Sequence, residues 1–211
     1  MPWNSFRTDS CKIRMRKLLS AGLLTLFLCL LFSCATVEET KRSFSKECSR
    51  EIAALGIKDT YELEQFFMAR NPKADKAKVR RMAGYYVTEG RFEGINSDVA
   101  FVQMCLETGF LRFGGLVKPY FNNFCGLGSM NKANPGEKFP SEAVGVRAHI
   151  QHLHAYATKD KKLRNKLVDP RYNHVKPRGK ATTVWELAGT WAMDKDYGKK
   201  LDALLAELEK Y

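Results

Sequence analysis

The stretch from residue 97 to residue 128, SDVAFVQMCLETGFLRFGGLVKPYFNNFCGLG, constrains the fold more than any other part of the chain. Its first dozen residues place apolar side chains at helical spacing, and Ser97 has the side chain of a helix N-cap. Gly109 supplies the stop, so we predict a helix that ends at Glu107. A carboxyl group therefore stands at the end of an apolar helix, directly before a glycine-rich turn.

Glu107 is an unusual residue for this position, because a carboxylate near the C-terminus of a helix is mildly unfavourable. Gln103 lies one turn earlier on the same face, so both side chains can border one cleft. Phe110 and its apolar neighbours would partly desolvate the carboxyl, which raises its pKa towards the range of a general acid. Glu107 is thus a candidate proton donor, and a plain surface glutamate is the alternative.

The pattern Glu107-Thr108-Gly109, followed by Asn123-Phe124-Cys125-Gly126, resembles the catalytic core of bacterial glucosaminidases of the flagellar peptidoglycan hydrolase and autolysin type. These enzymes belong to the lysozyme-like superfamily. Residues 139 to 158 are similar to the helix that follows in the family. Residues 188 to 201 are similar to its closing Ala-Thr-Asp-x-x-Tyr element, with Met193 where threonine is usual.

The resemblance, which extends over roughly residues 85 to 205, implies a mainly α-helical fold of the lysozyme-like α+β type. In such a fold a helical bundle surrounds the catalytic helix, and a small lobe covers the cleft. Residues 129 to 142 occupy the lobe position and are rich in turn formers, so we expect an abbreviated lobe. Further helices are predicted at residues 46 to 55, 59 to 71, 74 to 88, 143 to 158, 182 to 190 and 197 to 209.

The resemblance also implies roles for individual residues. Glu107 would protonate the glycosidic oxygen of a β-1,4 bond that follows N-acetylglucosamine. Tyr197 would lie beside the reacting sugar. By the same resemblance, Asn123 and Phe124 would shape the subsite next to Glu107. The residues themselves add Gln103, whose side chain can point into the cleft, and Phe110, which offers an apolar face to a sugar ring, as further candidates for binding the glycan.

The second catalytic role stays open at the level of sequence. Glu137, in the lobe segment, is our first candidate for the base that activates water, and the other candidates are Glu93, Glu142 and Asp194. Assistance by the substrate's own 2-acetamido group would need no second carboxylate. A lytic transglycosylase also needs only one glutamate. A glycan-binding lipoprotein without activity is a further alternative, slightly favoured by Met193 and the short lobe.

The N-terminal region is typical of a signal peptide, with Met15 as an alternative start of translation. Basic residues precede an apolar run, residues 18 to 32, that is short for a membrane span. The sequence LFSC resembles a lipoprotein signal, which would make Cys34 the lipidated first residue, and an uncleaved anchor is the alternative. We therefore expect a signal peptide at 1 to 33, a lipidated tether at 34 to 45, and an extracytoplasmic catalytic domain at 46 to 211.

The net charge of the chain is +12, and +8 remains after residues 1 to 33 are removed. Such a surplus suits an anionic partner, although it is also compatible with an ordinary solvated basic surface. Because a secretion signal argues against nucleic acid, we expect peptidoglycan glycan strands as the partner, together with the membrane through lipidated Cys34.

Three cysteines remain after the lipidation site. Cys105 lies on the predicted catalytic helix and Cys125 in the facing turn, so they form either a disulfide or two buried thiols. The histidines of residues 149 to 154 lack an HExxH motif and a convergent acidic partner. We therefore expect neither a metal nor a cofactor, and no amidase chemistry, which would need zinc or a cysteine–histidine pair.

Overall fold

Five α-helices form the regular structure of residues 47 to 211, the part of the chain that the computed structural model describes. No strand forms in this part, where the only β-type pairing is two isolated bridges. The expected mainly α-helical, lysozyme-like architecture is therefore confirmed. The helices are α1 (Thr60–Arg70), α2 (Lys76–Glu93), α3 (Ser97–Thr108), α4 (Glu142–Ala157) and α5 (Tyr197–Leu208), with 3-10 turns at Pro119–Phe121, Tyr172–His174 and Trp185–Leu187.

The predicted signal peptide, the tether and Cys34 lie outside the described residues and stay predictions. Within the described residues, no helix has both the length and the apolar character needed to cross a membrane.

The first two helices begin at aspartate caps. Asp59 accepts hydrogen bonds from the first amides of α1, and the Glu62 side chain accepts one from the Asp59 amide, which together form a capping box. α2 begins after the cap Asp75, two residues later than predicted, and it runs past the predicted end at residue 88. α2 continues through Gly90, where the missing Cβ lets the Ile95 carbonyl oxygen approach within 2.7 Å of the position a Cβ would occupy.

The predicted central helix, α3, is capped by Asn96, so the prediction of Ser97 as the cap is wrong by one residue. Asp98 is fully buried, and its carboxylate accepts a hydrogen bond from the Ile57 amide at 2.8 Å, which ties the preceding segment to α3. α3 ends at Thr108, and Gly109 closes it at a φ of 58°, the left-handed conformation that favours glycine.

Two predicted helices are wrong. Residues 47 to 55 contain no helix, and residues 182 to 190 contain only the 3-10 turn Trp185–Leu187. These two segments bond to each other instead, with the Ile52 amide 2.8 Å from the Thr182 carbonyl oxygen. The Val184 amide bonds to the Arg50 carbonyl in the same pairing, and the Thr182 and Thr183 amides bond to the Glu186 side chain, so these backbone groups find partners without a local helix.

The core surrounds α3, of whose 12 residues ten are buried. Phe101 packs edge-on against Tyr86 of α2, with ring centroids 5.7 Å apart, and against Phe67 of α1 at 6.2 Å. The other helices therefore enclose α3 and leave its C-terminal end to border the surface.

Gly145 allows α4 to pack directly on the turn that begins at Asn122. A Cβ at Gly145 would lie 1.7 Å from the Asn122 carbonyl oxygen, a backbone atom that no rotamer change can move. We expect Gly145→Ala to lower the free energy of unfolding by about 1–3 kcal/mol in urea titrations.

Gly84→Ala is the matched control, because Gly84 lies inside α2 and an added methyl there would meet only Thr60 Oγ1, at 4.0 Å. At this position the helix propensity of alanine should raise stability by about 0.5–1 kcal/mol. Equal effects of the two substitutions would contradict the packing argument.

Candidate active site

An open cleft of about 320 Å³ lies at the C-terminal end of α3. Four segments border it: the end of α3, the loop that follows, the turn of residues 123 to 126, and the segment before α5. The lining residues are Glu107, Thr108, Phe113, Gly115, Leu116, Val117, Asn123, Cys125, Gly126, Ser129, Trp191 and Ala192. The two halves of the sequence pattern thus meet at one cleft.

The two carboxyl oxygens of Glu107 have different surroundings. Oε1 accepts a hydrogen bond from the Tyr197 hydroxyl at 2.5 Å and another from Trp191 Nε1 at 3.2 Å. Oε2 faces Gly126, where a Cβ would lie 3.7 Å away, and it accepts no hydrogen bond from the described residues. Oε2 is therefore the oxygen that can carry a transferable proton.

Glu107 as a whole is solvent-exposed, but desolvation of its carboxyl in the cleft raises the pKa of this group, while the hydrogen bonds from Tyr197 and Trp191 act in the opposite direction. In the described part of the chain no lysine, arginine or histidine forms an ion pair with this carboxyl. Neutral donors thus hold Glu107 in place, and its protonated form persists to higher pH than that of an ordinary glutamate.

A buried row of polar side chains continues behind Tyr197. Gln103 Nε2 donates to the Tyr197 hydroxyl at 2.9 Å, and Gln103 Oε1 lies 2.9 Å from His149 Nε2. His149 Nδ1 in turn lies 2.9 Å from the Tyr86 hydroxyl. Burial lowers the pKa of His149 to about 3, so the ring is neutral at ordinary pH.

The structure places the predicted glycan-binding residues in two groups. Asn123 lines the cleft and closes its turn, with its amide bonded to both the amide and the carbonyl of Leu127 at 2.9 Å. Gln103 is fully buried behind Tyr197 and has a supporting position rather than a place on the cleft surface.

The two predicted phenylalanines are not on the cleft surface, which corrects the expectation that they face the glycan. Phe124 has no exposed surface, and Phe110 is 8 % exposed. The Phe110 ring packs in the core between Phe66 and Phe67, with centroid distances of 5.8 and 5.4 Å. Apolar rings without a polar atom gain most from full burial, which explains their position.

Of the four candidates for the second catalytic carboxyl, Glu137 is the one whose side chain forms no hydrogen bond or ion pair with another described group. Its side chain lies over Gly128, where a Cβ would come within 3.0 Å of Glu137 Oε1, and Ser129 next to that glycine lines the cleft. The other three candidates already have partners: Glu93 the backbone amides of residues 164 and 165, Glu142 the Lys78 ammonium, and Asp194 the Lys200 ammonium.

Trp191 is a site residue that the sequence reasoning missed. Besides its bond to Glu107, its ring packs against His152 at 5.2 Å and Tyr156 at 5.0 Å, both on α4. The sequence did show a tryptophan inside the closing element of residues 188 to 201, two residues before Met193, which replaces the usual threonine. Single aromatic residues more often belong to the core, so this signal was weak.

The cysteines and histidines of the region have structural partners. Cys105 and Cys125 are buried free thiols rather than a disulfide, and burial raises the pKa of both. His152 Nδ1 lies 2.7 Å from Asp169 Oδ2, and His154 Nδ1 lies 3.0 Å from the Tyr172 hydroxyl. Among residues 47 to 211, no group of three or more His, Cys, Asp or Glu side chains is arranged to hold a metal ion.

Comparison with known proteins agrees with the geometry. Residues 83–210 match the family model Glucosaminidase, described as mannosyl-glycoprotein endo-beta-N-acetylglucosaminidase. An uncharacterized protein of Borreliella burgdorferi is 38 % identical over 195 residues, which cover 86 % of this chain and 95 % of that relative. No solved structure matches. The family match spans more than half of the chain, including α3, the turn and α5, and the chain therefore belongs to the glucosaminidase family of glycoside hydrolases.

Proposed function

We propose that this protein is a peptidoglycan hydrolase that cleaves the β-1,4 bond on the reducing side of N-acetylglucosamine, with Glu107 as the general acid. The observation that carries the proposal is the Glu107 carboxyl that lines the cleft, held through Oε1 by two neutral donors while Oε2 accepts no hydrogen bond in the described part. Membership of the glucosaminidase family supplies the class of reaction.

The chemistry follows from these two oxygens. The proton on Glu107 Oε2 passes to the glycosidic oxygen as the bond to the anomeric carbon breaks, and an oxocarbenium-like centre develops. The negative charge left on the carboxylate is then stabilised at Oε1 by Tyr197 and Trp191. Such bonds strengthen as charge develops on the acceptor, so they favour the products of proton transfer.

For the second role we propose Glu137 as the base that directs water to the anomeric carbon. Two observations support this role. The Glu137 side chain lies over Gly128, next to the lining residue Ser129, and no described group forms an ion pair with it. Among the described residues, however, Glu107 is the only carboxyl that lines the cleft itself. Assistance by the substrate's 2-acetamido group is therefore the competing route.

We also propose that the enzyme acts outside the cytoplasm, attached to the membrane through lipidated Cys34. The support is the signal-like sequence of residues 1 to 34 and the location of peptidoglycan in the cell envelope. Mass analysis of the N-terminal peptide from membranes checks this, and an unmodified Cys34 would exclude it.

Glu107→Gln should lower the release of fragments from purified peptidoglycan by about 10²–10⁴-fold while binding is retained, because the amide has no proton of comparable acidity to transfer. Mass spectrometry of the wild-type products should show reducing-end N-acetylglucosamine. Anhydro products would identify a lytic transglycosylase instead. Binding without release by the wild type would identify a non-catalytic glycan-binding protein.

Glu207→Gln is the matched control for the loss of a glutamate. Glu207 is partly buried, pairs with Arg70 at 3.2 Å, and lies on α5 away from the lining residues. Its substitution should leave product release unchanged. A similar loss in both variants would indicate a general effect of removing charge.

Glu137→Gln tests the second role. If Glu137 activates water, kcat should fall by about 10²-fold or more with little change in KM. Wild-type kcat in this variant would exclude Glu137 as the base and leave the 2-acetamido route.

Trp191→Phe should move the alkaline limb of the kcat–pH profile to higher pH. General acid catalysis requires protonated Glu107, so kcat falls as pH rises through the pKa of that carboxyl. The Trp191 hydrogen bond stabilises the carboxylate and lowers this pKa, and its loss therefore raises the pKa further. The profile is measured by fragment release between acidic and neutral pH. An alkaline limb at the wild-type position would show that the Trp191 hydrogen bond does not change the pKa of Glu107.

A further inference from the structure

We propose that His149, a buried residue of α4, is a positioning residue that fixes the direction of a hydrogen-bond chain ending at the catalytic acid. The inference rests on the proposed role of Glu107 as that acid. The chain consists of Tyr86, His149, Gln103, Tyr197 and Glu107, with successive distances of 2.9, 2.9, 2.9 and 2.5 Å.

The hydrogen-bond chain crosses the interior of the domain, and all its members before Glu107 are shielded from solvent. Its members come from α2, α4, α3 and α5. Tyr86, Gln103 and His149 have no exposed surface, and Tyr197 is 5 % exposed. Each polar atom must therefore find its partner within the chain, because an unpaired buried donor or acceptor is strongly unfavourable.

The direction of the first link follows from Tyr86. Burial raises the pKa of its phenol, so the hydroxyl keeps its proton. Among the residues that the structure describes, His149 Nδ1 is the only hydrogen-bond partner of this hydroxyl. The hydroxyl therefore donates to Nδ1. A neutral imidazole that accepts at Nδ1 carries its proton on Nε2.

The remaining links follow in order. The N–H at His149 Nε2 donates to Gln103 Oε1, which fixes the orientation of the Gln103 amide. The amide nitrogen then donates to the Tyr197 oxygen, so the Tyr197 proton points to Glu107 Oε1.

A reversed Gln103 amide would have the opposite effect. Its oxygen would face the Tyr197 hydroxyl and compete with Glu107 for the single phenolic proton. Glu107 would then retain the hydrogen bond from Trp191, while the bond from Tyr197 would be shared with Gln103. By excluding this orientation, His149 keeps the Tyr197 donor aimed at Oε1 before the carboxylate forms, so no dipole has to turn during proton transfer.

The surroundings of His149 keep the ring neutral. Besides Tyr86 and Gln103, the Trp191 ring lies 5.9 Å away, and the neighbouring titratable group His152 further disfavours protonation. The chain therefore holds one direction throughout the pH range in which Glu107 titrates.

The first test measures the tautomer and needs no activity. In long-range ¹⁵N–¹H spectra of the ¹⁵N-histidine-labelled protein, His149 should carry its proton on Nε2 and should stay neutral as pH is lowered to about 5, below the ordinary histidine pKa. A proton on Nδ1, or titration near the ordinary histidine pKa, would overturn the proposal. Tyr86→Phe, which removes only the hydroxyl, should make both tautomers visible.

The second test measures catalysis in three variants. His149→Phe cannot donate to Gln103, so kcat should fall roughly tenfold or more with KM unchanged. The alkaline limb of kcat should also move to higher pH, because the Tyr197 bond lowers the pKa of Glu107. His149→Gln, whose amide can replace the Nε2 donor, should restore both values towards wild type.

His154→Phe is the matched control, since His154 is also buried on α4 but bonds to Tyr172 outside the chain. This substitution should leave the alkaline limb of the kcat–pH profile in place, even if it changes the urea concentration at the midpoint of unfolding. Wild-type kcat and limb in His149→Phe would refute the positioning role while the proposed function stands. A wild type that releases no fragments would refute the proposed function, and the tautomer measurement would still decide the direction of the chain.

Discussion

The placement of one desolvated carboxyl at the end of α3 is the constraint on which the rest of the site depends. Glu107 stands at the unfavourable end of the helix dipole, and within the described residues only neutral donors compensate it. Both donors, Tyr197 and Trp191, come from the C-terminal part of the chain. α5 must therefore close on α3 for the carboxyl to be held at all.

The distribution of charge follows the same requirement. The ion pairs of the described part, such as Arg50 with Asp202 at 2.7 Å and Arg147 with Glu89 at 2.8 Å, join helices and segments away from Glu107. A cation beside Glu107 would lower its pKa and remove the proton that an acid needs. Uncharged polar side chains thus form the hydrogen bonds to Glu107, while the ion pairs join elements at a distance from it.

The parts of the fold that depend on local sequence could be predicted. The Asp59 cap of α1 and the Gly109 end of α3 are set by residues within one turn. The helix predicted at residues 182 to 190 failed because that segment pairs with residues 47 to 55, far away in sequence. Helical spacing correctly placed Gln103 and Glu107 on one face, but spacing alone does not show that the Tyr197 hydroxyl bonds to both of them.

The aromatic residues show the same limit and its physical reason. The sequence places Phe110 and Phe124 among the expected glycan contacts, yet a ring without a polar atom is most stable in the core, where both lie. Trp191 can remain half-buried at the cleft because its N–H bonds to Glu107 while its ring packs on α4. The Trp191 hydrogen bond therefore links the aromatic surface on α4 to the carboxyl at the end of α3, and any shift of this ring changes one of the two donors that lower the pKa of Glu107.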